Sequence, residues 1–270
     1  MLLDNTDDFS TLLKNSGVPE DLGQLYFAHL DVRPRLDSGK PLHPAIMRYF
    51  KKPNRAFIAT REFPLPELDA DAGGRSFADV VHRRRSFHDF TGAPMSLQEL
   101  STLLKLGMGE TGALHNGQAR RAYASGGAMF INDLYIMVRS VDGLPPGLYH
   151  FNVQRHFLEL VSEGALDLND YFYDQSRQGG VERASLENCA AALVMVAFLR
   201  KAGYKYGERA WKLALLEAGH IGQNFYLATA ALDDVGINSV GGCKELELRG
   251  LLPIDARSEA ILYAQIVGKA

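Results

Sequence analysis

The sequence predicts an α+β protein on three observations. Two capped helical segments come first, followed by short apolar runs separated by turn residues. One long helical segment and a last strand then close the chain. The regular βαβ alternation of a doubly wound sheet is missing, so the strands are expected to pair antiparallel.

Residues 1–74 read as an N-terminal extension and linker. They hold Pro34, Pro41, Pro44, Pro53, Pro64 and Pro66, the basic pair Lys51-Lys52, and a polar stretch ending at Gly74. Leu25 to Leu30 suits either a short helix or a strand. From Arg75 the pattern is that of one domain, 75–270. Ser76 caps a helix through Val81 to Arg85. Ser96 with Glu99 three residues on is a capping box that opens a second helix, Leu97 to Leu106. A Gly-rich loop, Gly107 to Gly127, precedes strands at Leu134 to Val138, Gly147 to Phe151 and Phe157 to Val161, joined by turns into an antiparallel meander. Ala190 to Leu199 is apolar without alternation, which suits a strand covered on both faces. Glu208 to Asp234 reads as one long helix of about 40 Å. Its apolar residues, among them Trp211, Leu215, Leu216 and Phe225, fall on more than one face. Such a helix must be buried nearly all round, which points to a subunit interface, with a core helix of a single chain as the alternative. Glu259 to Val267 is the final strand.

Composition narrows the function classes. The chain has 270 residues, 46% hydrophobic and 23% charged, with a mean hydropathy of -0.12, which is ordinary for a globular domain. Lys and Arg number 29 against 32 Asp and Glu, so no basic field recruits nucleic acid or an anionic membrane. The N-terminus lacks the basic start of a secretory signal and no apolar run reaches a membrane span, so a cytoplasmic protein is expected. Cys189 and Cys243 make neither a disulfide framework nor a spaced metal site. His150 and His156 lie on successive strand segments, and His220 reads as a core histidine of the long helix. No metal site is expected.

Four segments concentrate chemistry. His82-Arg83-Arg84-Arg85-Ser86-Phe87-His88-Asp89-Phe90 offers guanidinium forks beside a hydroxyl, suited to phosphate; a solvated helix end, or side chains complementing a helix C-terminus, is the alternative. Ser125-Gly126-Gly127 lies in an otherwise apolar run and clears backbone for something flat or bulky, or makes a β-bulge. Gly241-Gly242 follows the long helix and suits a tight turn. Lys205-Tyr206 is a candidate base pair for a weakly acidic C–H, although each residue is also common on surfaces.

Taken in order, these segments resemble the flavin-dependent nitroreductase superfamily, and within it the SagB-type azoline dehydrogenases of thiazole/oxazole-modified peptide pathways of the streptolysin and microcin type. Arg84-Arg85-Ser86-Phe87-His88-Asp89-Phe90 is similar to the superfamily's Arg-Arg-Ser-x-Arg-x-Phe, with His88 in place of the second basic residue. Arg121 to Phe130 is similar to Arg-x-x-Pro-Ser-Gly-Gly-Ala-Leu-Tyr, with Ala124 for Pro and Phe130 for Tyr. Leu215 to Asn224 matches the long helix of the type.

The resemblance implies a nitroreductase-like fold, an antiparallel-rich central sheet flanked by helices, with the long helix in a homodimer interface and FMN between subunits. It implies that Arg84, Arg85, Ser86 and His88 hold the phosphate and ribityl chain of FMN. Ser125, Gly126, Gly127, Gly241 and Gly242 would then lie beside the ring system, and Lys205 and Tyr206 would be catalytic. The implied reaction is oxidation of a peptidyl thiazoline or oxazoline to the azole, alongside a cyclodehydratase, with residues 1–74 either a docking segment for it or structure that wraps the dimer. The alternatives are an NAD(P)H-dependent nitro or quinone reductase of the same fold, an azoline oxidase for a carrier-bound nonribosomal peptide, and a non-catalytic scaffold.

Overall fold

The computed structural model describes residues 59, 61–68, 74–113, 115, 117–173 and 186–270. The Leu25 to Leu30 segment, Pro34, Pro41, Pro44, Pro53 and Lys51-Lys52 lie outside the described residues. Within the expected extension, Glu62–Pro64 forms a strand, β1. α1 (Phe77–Arg83) starts where Ser76 accepts from the Asp79 amide at 3.1 Å. It stops two residues short of the expected Arg85, because Arg84 turns to extended backbone. α2 (Leu97–Met108) carries the capping box in full: Ser96 Oγ accepts from Glu99 N at 3.1 Å and Glu99 Oε2 accepts from Ser96 N at 2.8 Å.

The Gly-rich segment is more structured than a loop. It forms a hairpin of β2 (Glu110–Ala113) and β3 (Ala119–Arg121), then a single 3-10 turn at Gly126–Ala128. The expected meander follows as β4 (Asn132–Val138), β5 (Gly147–Asn152) and β6 (Phe157–Glu163). His150 is on β5, whereas His156 occupies the turn before β6 at φ 54°. β7 (Ala191–Phe198) runs directly into α3 (Leu199–Tyr206), a helix the sequence reading did not assign.

The expected long helix, Glu208 to Asp234, forms nearly to those bounds. Gly207, at φ 58° and ψ -138°, separates α3 from α4 (Arg209–Ala231). That backbone conformation is essentially restricted to glycine. β8 (Val235–Val240), a short α5 (Glu245–Leu251) that was not expected, and β9 (Glu259–Lys269) complete the chain.

The strands form one seven-stranded sheet in the order β1-β6-β5-β4-β7-β9-β8, every neighbouring pair antiparallel. β7 is central and buried along its length, as its unbroken apolar run requires. Its alternate side chains serve two cores. Leu193 and Met195 pack with Leu100, Leu103, Leu104, Ile221 and Phe225 of α2 and α4, and Val194 and Val196 pack with Phe172, Leu248 and Leu252 on the opposite face. α4 thus crosses one face of the sheet and carries along its length the loops described next. Among the described residues no helix is long and apolar enough to cross a membrane.

Candidate functional site

The 122–126 segment lies lengthwise on α4. Asn224 Nδ2 donates to the Ala122 carbonyl at 3.0 Å, His220 Nδ1 meets the Ala124 carbonyl at 3.1 Å, and Gly126 packs on Leu213. His220 is exposed and acts as a strap, which corrects the expectation of a core histidine. Its exposed position leaves the carbonyl of a neighbouring loop as the partner for its ring nitrogen.

At the Leu213 end, two of the sequence-predicted segments meet. Gly127, at φ 62°, faces Tyr206 Oη and Lys205 Nζ so closely that a Cβ there would collide with both. Lys205 Nζ stands 5.0 Å from the centre of the Tyr206 ring, a cation–π contact. Both residues sit in the last turn of α3, which the Gly207 break aims toward the loop.

Toward the other end of α4, Ser86 and the β8 strand meet through a residue the sequence reading missed. Tyr226 Oη lies 3.3 Å from Ser86 Oγ and 3.0 Å from Ser239 Oγ, and accepts from Ser239 N at 3.0 Å. Ser239 Oγ also bonds the Tyr263 hydroxyl. The Arg84 guanidinium lies 5.4 Å from the centre of the Tyr226 ring. The segment is held to β8 by the Phe87 amide on the Ile237 carbonyl at 3.0 Å and by Asn238 Nδ2 on the Phe87 carbonyl at 2.6 Å. A tyrosine flanked by an Arg-Arg-Ser segment and a serine was the available signal, but pairing them needs residues far apart in the chain.

The remaining predicted residues divide. Arg85 Nη1 donates to the His82 and Arg84 carbonyls at 2.7 and 2.8 Å, so one of its nitrogens closes the end of α1. His88 Nδ1 is buried and has no hydrogen-bond partner among the described residues. Gly241 and Gly242 follow β8 directly, and the Gly242 carbonyl accepts from Tyr173 N at 3.0 Å.

Charged groups converge behind the 125–130 turn. Arg121 Nη1 donates to Tyr123 Oη at 3.0 Å and its guanidinium lies 4.6 Å from the Phe130 ring centre. Glu217 on α4 is 1% exposed, and its Oε1 accepts from Asn132 N and Nδ2 at 2.8 and 3.1 Å. Burial pushes the Glu217 carboxyl above its usual range, against the pull of the Ser125 hydroxyl, Asn132 and Arg121. Burial likewise pulls the Lys201 ammonium on α3 down to about 8, with Asp133 opposing the shift and Arg121 adding to it. A cavity of about 730 Å³ lies elsewhere, lined by Arg139, Leu166, Asn169 and Asn188 among others, and includes none of the predicted residues.

Comparison with known proteins agrees with this architecture. The chain is 27% identical over 200 residues to a Methanocaldococcus jannaschii protein designated a nitroreductase, covering 72% of this chain and 91% of that one. It is 23% identical over 179 residues to the trifolitoxin-processing protein TfxB of Rhizobium leguminosarum bv. trifolii, covering 64% of this chain and 47% of TfxB, so the match spans about half of that relative. A crystal structure from Ralstonia eutropha, also designated a nitroreductase, superposes with a TM-score of 0.62 at 25% identity over 80% of this chain and 92% of that one. The model of the nitroreductase family matches residues 81–269, and by that match, on the antiparallel sheet and α4 framework just described, the chain belongs to the nitroreductase family.

Proposed function

We propose that this protein is an FMN-dependent dehydrogenase that oxidises peptidyl thiazolines or oxazolines to thiazoles or oxazoles. The observation that carries the reading is the contact of Gly127 with Lys205 and Tyr206, because that dipeptide is what the SagB-type resemblance adds to a simple nitroreductase. The likeness to a trifolitoxin-processing protein supports a peptide as substrate.

The residues fit FMN. Ser86 and Arg84 stand together beside Tyr226, a hydroxyl and a guanidinium suited to a phosphate and a polyol. Arg85 uses Nη1 at the helix end, and a guanidinium carries five N–H donors. His88 brings a buried Nδ1 without a partner among the described residues. Gly126 and Gly127, lacking Cβ atoms, let the turn after Ser125 lie close against Leu213, Tyr206 and Lys205, and Gly241-Gly242 extends from the strand that holds Ser239. When bound, FMN supplies a two-electron acceptor that no side chain offers.

The chain's own residues then handle the proton and the fit. Tyr206 takes the proton from the substrate α-carbon. The Lys205 cation lies over the Tyr206 ring and places a positive charge beside the oxygen that takes the proton. Gly127 holds both side chains against the turn, and Arg84, Arg85, Ser86 and His88 bind and orient the phosphate end. In one chain these two groups sit at opposite ends of α4, about 20 Å apart from Leu213 to Tyr226 at 1.5 Å per residue. Trp211, Leu215 and Leu216 on α4 are exposed, and a second copy laid antiparallel along this helix covers them and brings the ends from two chains together. Residues 75–270 form the flavin domain of this homodimer. Residues 1–74 are an extension that adds β1 to the sheet and docks a cyclodehydratase in the cytoplasm.

Replacing Lys205 and Tyr206 with Ala, while FMN stays bound, is expected to abolish the loss of about 2 Da per ring from an azoline peptide, the mass of two hydrogens, in mass spectrometry. Undiminished azole formation overturns the role of the pair. Rapid bleaching of the flavin by NAD(P)H with no azole formed identifies a reductase instead.

A further inference from the structure

His156 is a buried histidine that the mechanism above does not use. It is 6% exposed, in the turn before β6, and meets residues 61–68, the stretch of the N-terminal extension that carries β1, at two points. Its carbonyl accepts from Leu65 N at 3.1 Å. Its ring Nε2 lies 2.8 Å from Ser101 Oγ on α2, and the Ser101 hydroxyl donates to the Pro66 carbonyl. A hydroxyl has one proton and Pro66 takes it, so the Nε2–H of a neutral ring donates to Ser101. That leaves Nδ1 as the bare nitrogen. It is buried and has no hydrogen-bond partner among the described residues, and the Phe151 ring packs edge-on at 5.8 Å. A further proton on this ring brings a charge and an N–H to a place where no acceptor among the described residues meets Nδ1.

We propose that His156 and Ser101 form a proton-sensitive latch that holds residues 61–68 on the sheet, and that protonation of the ring releases this segment while the rest of the fold stays closed. The segment is built to open locally, because β1 lies at the sheet edge and pairs with β6 over three residues. Its other ties are few: Leu160 N donates to the Arg61 carbonyl and Gln98 Nε2 to the Glu67 carbonyl, each at 3.0 Å, and Leu65 is buried. The ion pairs of Arg61 with Glu163 and of Glu62 with Arg155 are at the surface and add little. Burial lowers the pKa of the ring below 6.5, Lys105 of α2 adds to the shift, and the Pro66 carbonyl and Glu67 of the segment oppose it. Arg155, the preceding residue, is turned to Glu62 at 2.6 and 2.7 Å. In the open form the ring returns to water and to its ordinary value, so the open form binds the proton first. Opening is therefore level above about pH 6.5 and approaches a tenfold rise per pH unit below it, until the pKa of the closed form is passed. Release makes β6 the edge strand and bares the backbone groups that β1 covered.

Amide hydrogen exchange of the full chain by NMR, corrected for the intrinsic rate at each pH, tests the latch. The Leu65 amide is expected to be less protected than the amides of β7 at every pH, and to lose protection several-fold as the pH falls from about 6.5 to about 5.5. Glu62 adds nothing in this range, because its bond to Arg155 holds its carboxyl below 4.5. H156N suits the φ of 54° at this position and is expected to keep the Leu65 protection level over the same range. The chemical shifts of the wild-type ring near neutral pH are expected to be those of the neutral Nε2–H form, a measurement that needs no variant. Leu65 protection that stays level with pH in the wild type, that equals the protection of β7 at every pH, or that falls equally in H156N overturns the latch. A ring that carries its proton on Nδ1 near neutral pH overturns it as well.

Discussion

Gly127→Ala puts the central contact of the site under strain, and its effect follows from two separate terms. Gly127 has φ 62° and ψ 25°, the left-handed region, where an ordinary L-residue costs about 1–2 kcal/mol. For a chain of this size each kcal/mol lowers Tm by about 2–4 °C. The second term is steric, because the new Cβ meets the Tyr206 hydroxyl and the Lys205 ammonium. Those side-chain ends can move aside, so the stability loss stays near the backbone value, but a catalytic group shifted by about 1 Å loses about 100-fold in rate. Azole formation from a supplied azoline peptide and urea unfolding measure the two terms separately. Gly127→Asn divides them further, since asparagine tolerates the left-handed region yet carries the same Cβ. It is expected to recover most of the stability and none of the turnover. Wild-type turnover by both variants would refute the reasoning, because the contact would then have no part in catalysis.

Two further outcomes follow from the straps and from the buried histidine. Asn224→Ala removes the bond to the Ala122 carbonyl and is expected to cost about 1 kcal/mol in chemical denaturation and to speed FMN dissociation, because the 122–126 segment loses its hold on α4. His156 meets Ser101 Oγ at 2.8 Å, and burial, with help from Lys105, lowers its pKa below 6.5. Below that value the unfolded chain binds the proton first, so stability is expected to fall as the pH drops from about 6.5 toward the lower folded value. His156→Asn suits the φ of 54° and is expected to flatten this part of the stability curve.

Much of the fold was legible because the rules that shape it are local. Ser76 and the Ser96–Glu99 pair mark helix starts through hydrogen bonds spanning three residues, and the structure makes those bonds. The turns between β4, β5 and β6 were likewise visible, and these three strands are neighbours in the sheet. The short α3 ahead of Gly207 was not. Its eight residues are too few for periodicity to mark a helix, and they follow the apolar run of β7 directly, without a capping side chain. The hairpin within the Gly-rich stretch was hidden for a related reason, since its strands are short and its polar residues give no alternation.

The sequence by itself determined the α+β class, the starts of α1, α2 and α4, the meander, and the residue types able to meet a phosphate, a flat ring and a proton. Only the tertiary structure decided which of these residues stand together. Strand order across β4, β7, β9 and β8 joins segments distant in the chain, because β7 can bury both faces only in the middle of the sheet. That arrangement sets α4 across the core, and α4 then brings Gly127 to Lys205 and Tyr206 at one end and Ser86 to Ser239 through Tyr226 toward the other. Burial of apolar surface depends on the whole chain at once, whereas caps and turns depend on a few consecutive residues.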